Sequence, residues 1–163
     1  MRRRALPGPA DPDLVFEDFS VGDALPEAEA TVTAEDAAVF AAWFGPGAAA
    51  PDSAGAGPTP VSGYHVAAIG MRLLFEAVLR RTASLGAPGV DAVTWPHPVW
   101  PGDRLRFTAE VTAARVSASR PEMGLVTVAI ALFNQHGAWV MTQENAIMVA
   151  RRDSARDDTE SRA

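Results

Sequence analysis

Residues 62 to 81, SGYHVAAIGMRLLFEAVLRR, constrain the fold more than any other stretch of the chain. Apolar side chains fill nearly every position from 66 to 79, so a helix built from them has almost no face to give to water and must be wrapped by other structure. Ser62 is placed to cap it, and its length corresponds to roughly 30 Å at helical rise. Arg80 and Arg81 suit the negative end of its dipole. Inside the apolar run the charges are Arg72 and Glu76, four positions apart, with Arg80 four further on, which predicts i,i+4 ion pairs at a sheet edge or dimer seam. The same charges leave the run short of the roughly 18 to 20 clean residues that a membrane span needs, so no integral membrane protein is expected.

The wrapping material follows in sequence. VDAVTW (90 to 95), DRLRFTAEVTAARVS (103 to 117), GLVTVAIALFNQ (124 to 135) and AWVMTQENAIMVA (138 to 150) change to a period of two, rich in Val, Thr and aromatics, with PGD, SRPEMG and NQHG turns between them. Upstream, TVTAEDAAVFAAWFG (31 to 45) reads as the end of a strand and then a helix capped by Thr33, with Glu35 and Asp36 at its positive end and Gly45 and Pro46 stopping it. Residues 45 to 60 are small residues and prolines, a loop. One strand, a short helix, a long apolar helix and about four further strands predict an α+β domain in which a curved antiparallel sheet curls around the central helix, the hot-dog arrangement. The domain is expected over residues 14 to 150, with loosely ordered tails at 1 to 13 and 151 to 163.

The chain has 163 residues, enough for one substantial core and too few for a second domain. A net charge of −6 without clustered Lys and Arg in the body of the chain excludes a nucleic-acid groove. The absence of cysteine removes disulfides, thiolate catalysis and Cys-based zinc sites. Prolines interrupt the region after the basic start MRRR, so no export signal is expected and a cytoplasmic location is the default.

Several strings, in order, resemble the MaoC-like dehydratase and (R)-specific enoyl-CoA hydratase family of hot-dog proteins: FEDFSVGD (16 to 23), VTAEDAAVFAAWF (32 to 44), SGYHVAAIGMRLL (62 to 74), PVWPGDRLRF (98 to 107), SRPEMGLVTV (119 to 128) and NQHGAWVM (134 to 141). The resemblance covers residues 16 to 149. It implies acyl-thioester substrates, usually coenzyme A esters, no separate cofactor, a role in fatty acid metabolism, and a homodimer whose two sheets join. It also implies a D-P-x-x-x-H-x-D type of string after the first helix, whose Asp and His activate the water that adds across an enoyl double bond, with backbone N–H groups at the start of the long helix polarising the substrate carbonyl. Here FGPGAAAPD (44 to 52) stands in that place: Gly45 falls where the family has its Asp, Ala50 where it has its His, and Asp52 matches the trailing acid. Glycine and alanine cannot take a proton.

The remaining candidates each carry two readings. His65, in the first turn of the long helix, either packs and donates to a backbone carbonyl, or serves as a base lowered in pKa by burial and the helix end, with Asp52 as its dyad partner. Gly63 and Tyr64, beside Ser62, either offer N–H groups to a thioester oxygen or serve tight packing. Asp52 either caps a turn or acts chemically. His97 and His136 look like loop residues without metal spacing, and no metal is expected. Trp43 and Phe44 are placed to lid an acyl chain or to pack, and Glu76 leaves a thioesterase open. Two functions follow: a hydro-lyase using His65 and Asp52, or a non-catalytic thioester-binding subunit whose partner hot-dog chain keeps the intact pair.

Overall fold

The computed structural model describes residues 13–45 and 59–152. A single 3-10 turn, Phe16–Asp18, leads into β1 (Ala28–Thr31) and α1 (Ala34–Phe44). After α2 (Gly63–Ala77) come β2 (Ser84–Gly86), β3 (Ala92–Thr94), β4 (Arg104–Val116), β5 (Met123–Phe133) and β6 (Trp139–Ala150). The strand order is β1-β4-β5-β6-β2, with β3 also paired to β6, and every ladder is antiparallel. Local signals account for the boundaries. Thr33 Oγ1 accepts the Asp36 N–H at 3.0 Å and its hydroxyl donates to the Asp36 carboxylate at 2.8 Å, so both ends of the expected α1 cap are present. The PGD string makes a turn in which Gly102 takes φ +99°, a value that glycine adopts without steric cost.

Alternation on the three long strands sends Leu105, Phe107, Ala109 and Val111 of β4 to the same side as Val126, Val128, Ile130 and Leu132 of β5 and Met141, Ile147 and Val149 of β6. The ladders shift register between Val111 and Ala113, and between Leu132 and Phe133, irregularities of the kind that bend strands locally. α2 lies in the resulting hollow. Gly70 is what permits its close approach, since a Cβ there would come within 2.9 Å of Met141 Cε and 3.5 Å of Leu132 Cδ1. The architecture is the curled-sheet hot-dog arrangement that the sequence predicts.

Two expectations are corrected. The long helix stops at Ala77; Val78 leaves helical geometry and Leu79–Arg81 form a separate 3-10 turn, so the apolar run outlasts the helix. Nor is α2 wrapped on most sides. Val66, Ile69, Leu73 and Leu74 are buried, whereas Tyr64, Met71 and Phe75 are exposed along the opposite face together with Arg72 and Glu76. One sheet covers one side of a helix. A smaller difference is that SLGAPG holds the short strand β2 as well as a turn.

Residues just outside 14 to 150 are paired with the domain. Asp13 pairs with Arg81, Arg151 with Glu17 at 3.0 Å and Arg152 with Asp18 at 2.8 Å, so these flanking residues are tied to the 3-10 turns that they border. The guanidinium of Arg81, as hydrogen-bond donor and charge, holds the Asp13 carboxyl below its usual range.

Candidate functional site

The site is built at the start of α2 and along the side that α2 turns towards α1. Ser62 caps α2: its Oγ accepts the Tyr64 N–H at 3.3 Å and its carbonyl accepts the N–H groups of His65 at 2.9 Å and Val66 at 3.1 Å. The Gly63 N–H makes no hydrogen bond among the described residues. It is one of the donors that a helix start leaves over, and it points along the axis with the positive end of the dipole behind it. Trp95 lies directly against this turn. A Cβ on Gly63 would fall 2.8 Å from the Trp95 ring atoms Cδ2 and Cε2, and the Trp95 ring meets Tyr64 edge-on at 5.5 Å. Gly63 therefore has a packing reason of its own, independent of any ligand.

A cleft of about 280 Å³ runs between the helices, lined by Asp36, Phe40, Trp43 and Phe44 of α1 and His65, Ile69 and Arg72 of α2. His65 stacks on Phe40, centroids 4.8 Å apart and planes 9° from parallel. Its side chain is 7% exposed, and its Nδ1 is buried with no hydrogen-bond partner. Burial pushes its pKa below the usual imidazole range, with the Asp36 charge opposing that shift. The folded state thus resists protonating His65 while the unfolded chain accepts the proton near 6.5, so stability is full above that value and falls as pH drops below it. Urea midpoints measured at pH 7.5 and 5.5 are expected to show this loss, and His65→Phe to show less of it; equal losses in both proteins would contradict it.

No carboxylate is hydrogen-bonded to His65 among the described residues. Asp52 and Ala50 lie outside the described residues, so the expected dyad has only its His65 half in view. At the end of α1, Gly45 donates its N–H to the Ala41 carbonyl at 2.9 Å, and a Cβ at this position would lie 2.6 Å from that oxygen. The backbone has no room for a side chain where the family resemblance asks for Asp. Arg72 and Glu76 are both exposed, and neither forms an ion pair among the described residues, so the predicted i,i+4 pairs with Glu76 are absent; water solvates both charges at little cost. Trp43 is 78% exposed and Phe44 73% exposed at the mouth of the cleft. His97 Nδ1 lies 2.7 Å from the Trp139 carbonyl and His136 sits in the β5–β6 turn, both at exposed loop positions. Among the described residues no group of three or more His, Asp or Glu is placed to hold a metal, and no helix is long and apolar enough to cross a membrane. Sequence reasoning missed Phe40 and Trp95, since nothing local marks which aromatic meets His65 or Gly63.

No family model matches the chain and no curated protein matches it. Solved structures do. The MaoC-like dehydratase from Rhodospirillum rubrum is 36% identical, with a TM-score of 0.72 over 85% of this chain and 98% of that one. The (R)-hydratase PhaJ1 from Pseudomonas aeruginosa is 21% identical, with a TM-score of 0.65 over 85% of this chain and 87% of that one. The ChsH1–ChsH2 complex from Mycobacterium tuberculosis holds a chain 19% identical to this one, with a TM-score of 0.59 over 80% of this chain and 98% of that one. The last two likenesses concern the fold. Sheet order, the helix in the hollow and these neighbours together define a hot-dog protein. At the identity and coverage shared with the Rhodospirillum rubrum protein, the chain belongs to the MaoC-like dehydratase family.

Proposed function

We propose that this chain binds acyl thioesters, such as coenzyme A esters, and that it is the catalytically deficient member of a pair of hot-dog chains whose partner supplies the acid/base residues. The observation that carries this reading is the crowding at Gly45: the glycine that replaces the family Asp closes α1 so tightly that a Cβ would meet the Ala41 carbonyl at 2.6 Å. On this reading Gly45 and Ala50 stand at the two acid/base positions, where neither can carry a proton. What the chain retains is the means to bind. The Gly63 N–H, backed by the dipole of α2, suits a thioester oxygen, with Ser62 holding the turn, the Tyr64 N–H as a second donor where Ser62 Oγ gives it up, and Trp95 alongside.

The exposed face of α2 supports an assembly. Tyr64, Met71 and Phe75 form an apolar strip on a helix that one sheet covers on one side, and β2 and β3 lie along the same outer edge of β6. A second hot-dog chain, another copy or a partner, fits that strip. The solved ChsH1–ChsH2 complex supports the possibility of two different chains.

The second reading is a hydro-lyase in which His65, with Asp52 where the loop brings it near, replaces the lost pair. The neutral character of His65 and its place in the cleft favour it. Purification of the native protein from its source separates the two. Stoichiometric recovery of a second hot-dog chain bearing both Asp and His is the result expected; a chain recovered with copies of itself alone that hydrates an enoyl thioester in a His65-dependent way would replace the first reading by the second.

A further inference from the structure

The cleft between α1 and α2 holds two polar groups that thioester binding leaves unused. Arg72 lines it and makes no hydrogen bond or ion pair among the described residues. His65 is more than nine-tenths buried with Nδ1 unpartnered. An unmet lone pair is tolerated more readily than an unmet N–H, which favours the tautomer with its proton on Nε2. Phe40, Trp43 and Ile69 supply apolar walls. Asp36, the other charged lining residue, accepts the Thr33 hydroxyl at 2.8 Å and sits at the positive end of α1, which offsets its charge. Arg72 is thus the one unengaged charge that lines the cleft among the described residues.

We propose that the acyl group taken by this chain ends in a carboxylate, held by Arg72 in the cleft, with His65 donating from Nε2 along the way. The proposal rests on the thioester reading above. Arg72 lies nine positions beyond Gly63, about 13 Å along the helix axis, and helical side chains lean back towards the N-terminus. An acyl chain of about six carbons, with bonds of roughly 1.5 Å, would cover part of that rise and the Arg72 side chain leaning back the rest. Guanidinium presents a planar fork to a carboxylate, a geometry that lysine cannot reproduce.

The test is an equilibrium titration with three probes: adipyl-coenzyme A, hexanoyl-coenzyme A and free coenzyme A. The full chain is expected to bind the adipyl ester about tenfold more tightly than the hexanoyl ester. Arg72→Gln is expected to bring that ratio to about one and Arg72→Lys to leave it between the two, while Arg115→Gln, on the far end of β4, keeps the wild-type ratio. Arg72 is exposed, so its replacement leaves the core untouched, and circular dichroism checks the fold of each variant. A wild-type ratio of one or below, or a preference that survives in Arg72→Gln, overturns the carboxylate proposal and leaves thioester binding standing. Failure of both acyl esters to bind more tightly than free coenzyme A overturns the thioester reading, and this proposal with it.

Discussion

Mixed with a crotonyl thioester at neutral pH, the purified chain is expected to leave the enoyl absorbance at its uncatalysed rate of decay. A positioned general acid or base contributes about 10²–10⁴-fold to a proton-transfer step, and here the two positions that the family resemblance assigns to that task hold Gly45 and Ala50. An Asp at position 45 would put its Cβ 2.6 Å from the Ala41 carbonyl oxygen, so the backbone at the end of α1 must shift to admit it. His65 is a poor substitute as placed: it stacks flat on Phe40, its Nδ1 has no partner, and no described carboxylate orients it. Accordingly His65→Ala is expected to decay at the same rate as the wild-type chain. Turnover well above background that disappears in His65→Ala would assign the chemistry to that imidazole.

Phe107→Ala is expected to cost about 3–5 kcal/mol of folding stability, the range for removing a fully buried aromatic ring. Phe107 is wholly buried, near the middle of the sheet, opposite Ala28 of β1 and Leu132 of β5 in the two ladders of β4. Its loss opens a void between the sheet and the rest of the core, where the surrounding strands are held by their ladders and cannot collapse into it. Urea unfolding is the check, with the midpoint moving down and the slope nearly constant. Val116→Ala, at the exposed end of the same strand, is expected to stay within about 0.5 kcal/mol. Similar losses for the two would mean that the sheet face carrying Phe107 is not the buried one.

What the sequence discloses follows from the range of the interactions involved. Thr33 and Asp36 mark the start of α1 because both halves of that cap lie within one turn of chain. β4, β5 and β6 are legible because alternation and the intervening turns are local as well. The C-terminal limit of α2 is not, since Val78 and Leu79 continue the apolar pattern after helical geometry has ended. The expected wrapping of α2 failed for a related reason: an apolar residue at 71 or 75 reads the same whether its cover is its own sheet or another chain. At the site, Ser62 was visible as a cap, yet the contacts of Trp95 with Gly63 and of Phe40 with His65 join segments far apart in sequence that no spacing connects. The crowding at Gly45 depends on how α1 ends, which composition alone does not specify.

The most direct test follows tryptophan fluorescence and enoyl absorbance together while the crotonyl thioester is titrated into the purified chain, Trp95 beside Gly63 acting as the reporter of binding. The account predicts a fluorescence change that saturates while the absorbance rises only with the ester added and, between additions, decays no faster than in buffer. Absorbance that falls at a rate set by the protein concentration, or fluorescence that never saturates, would contradict it.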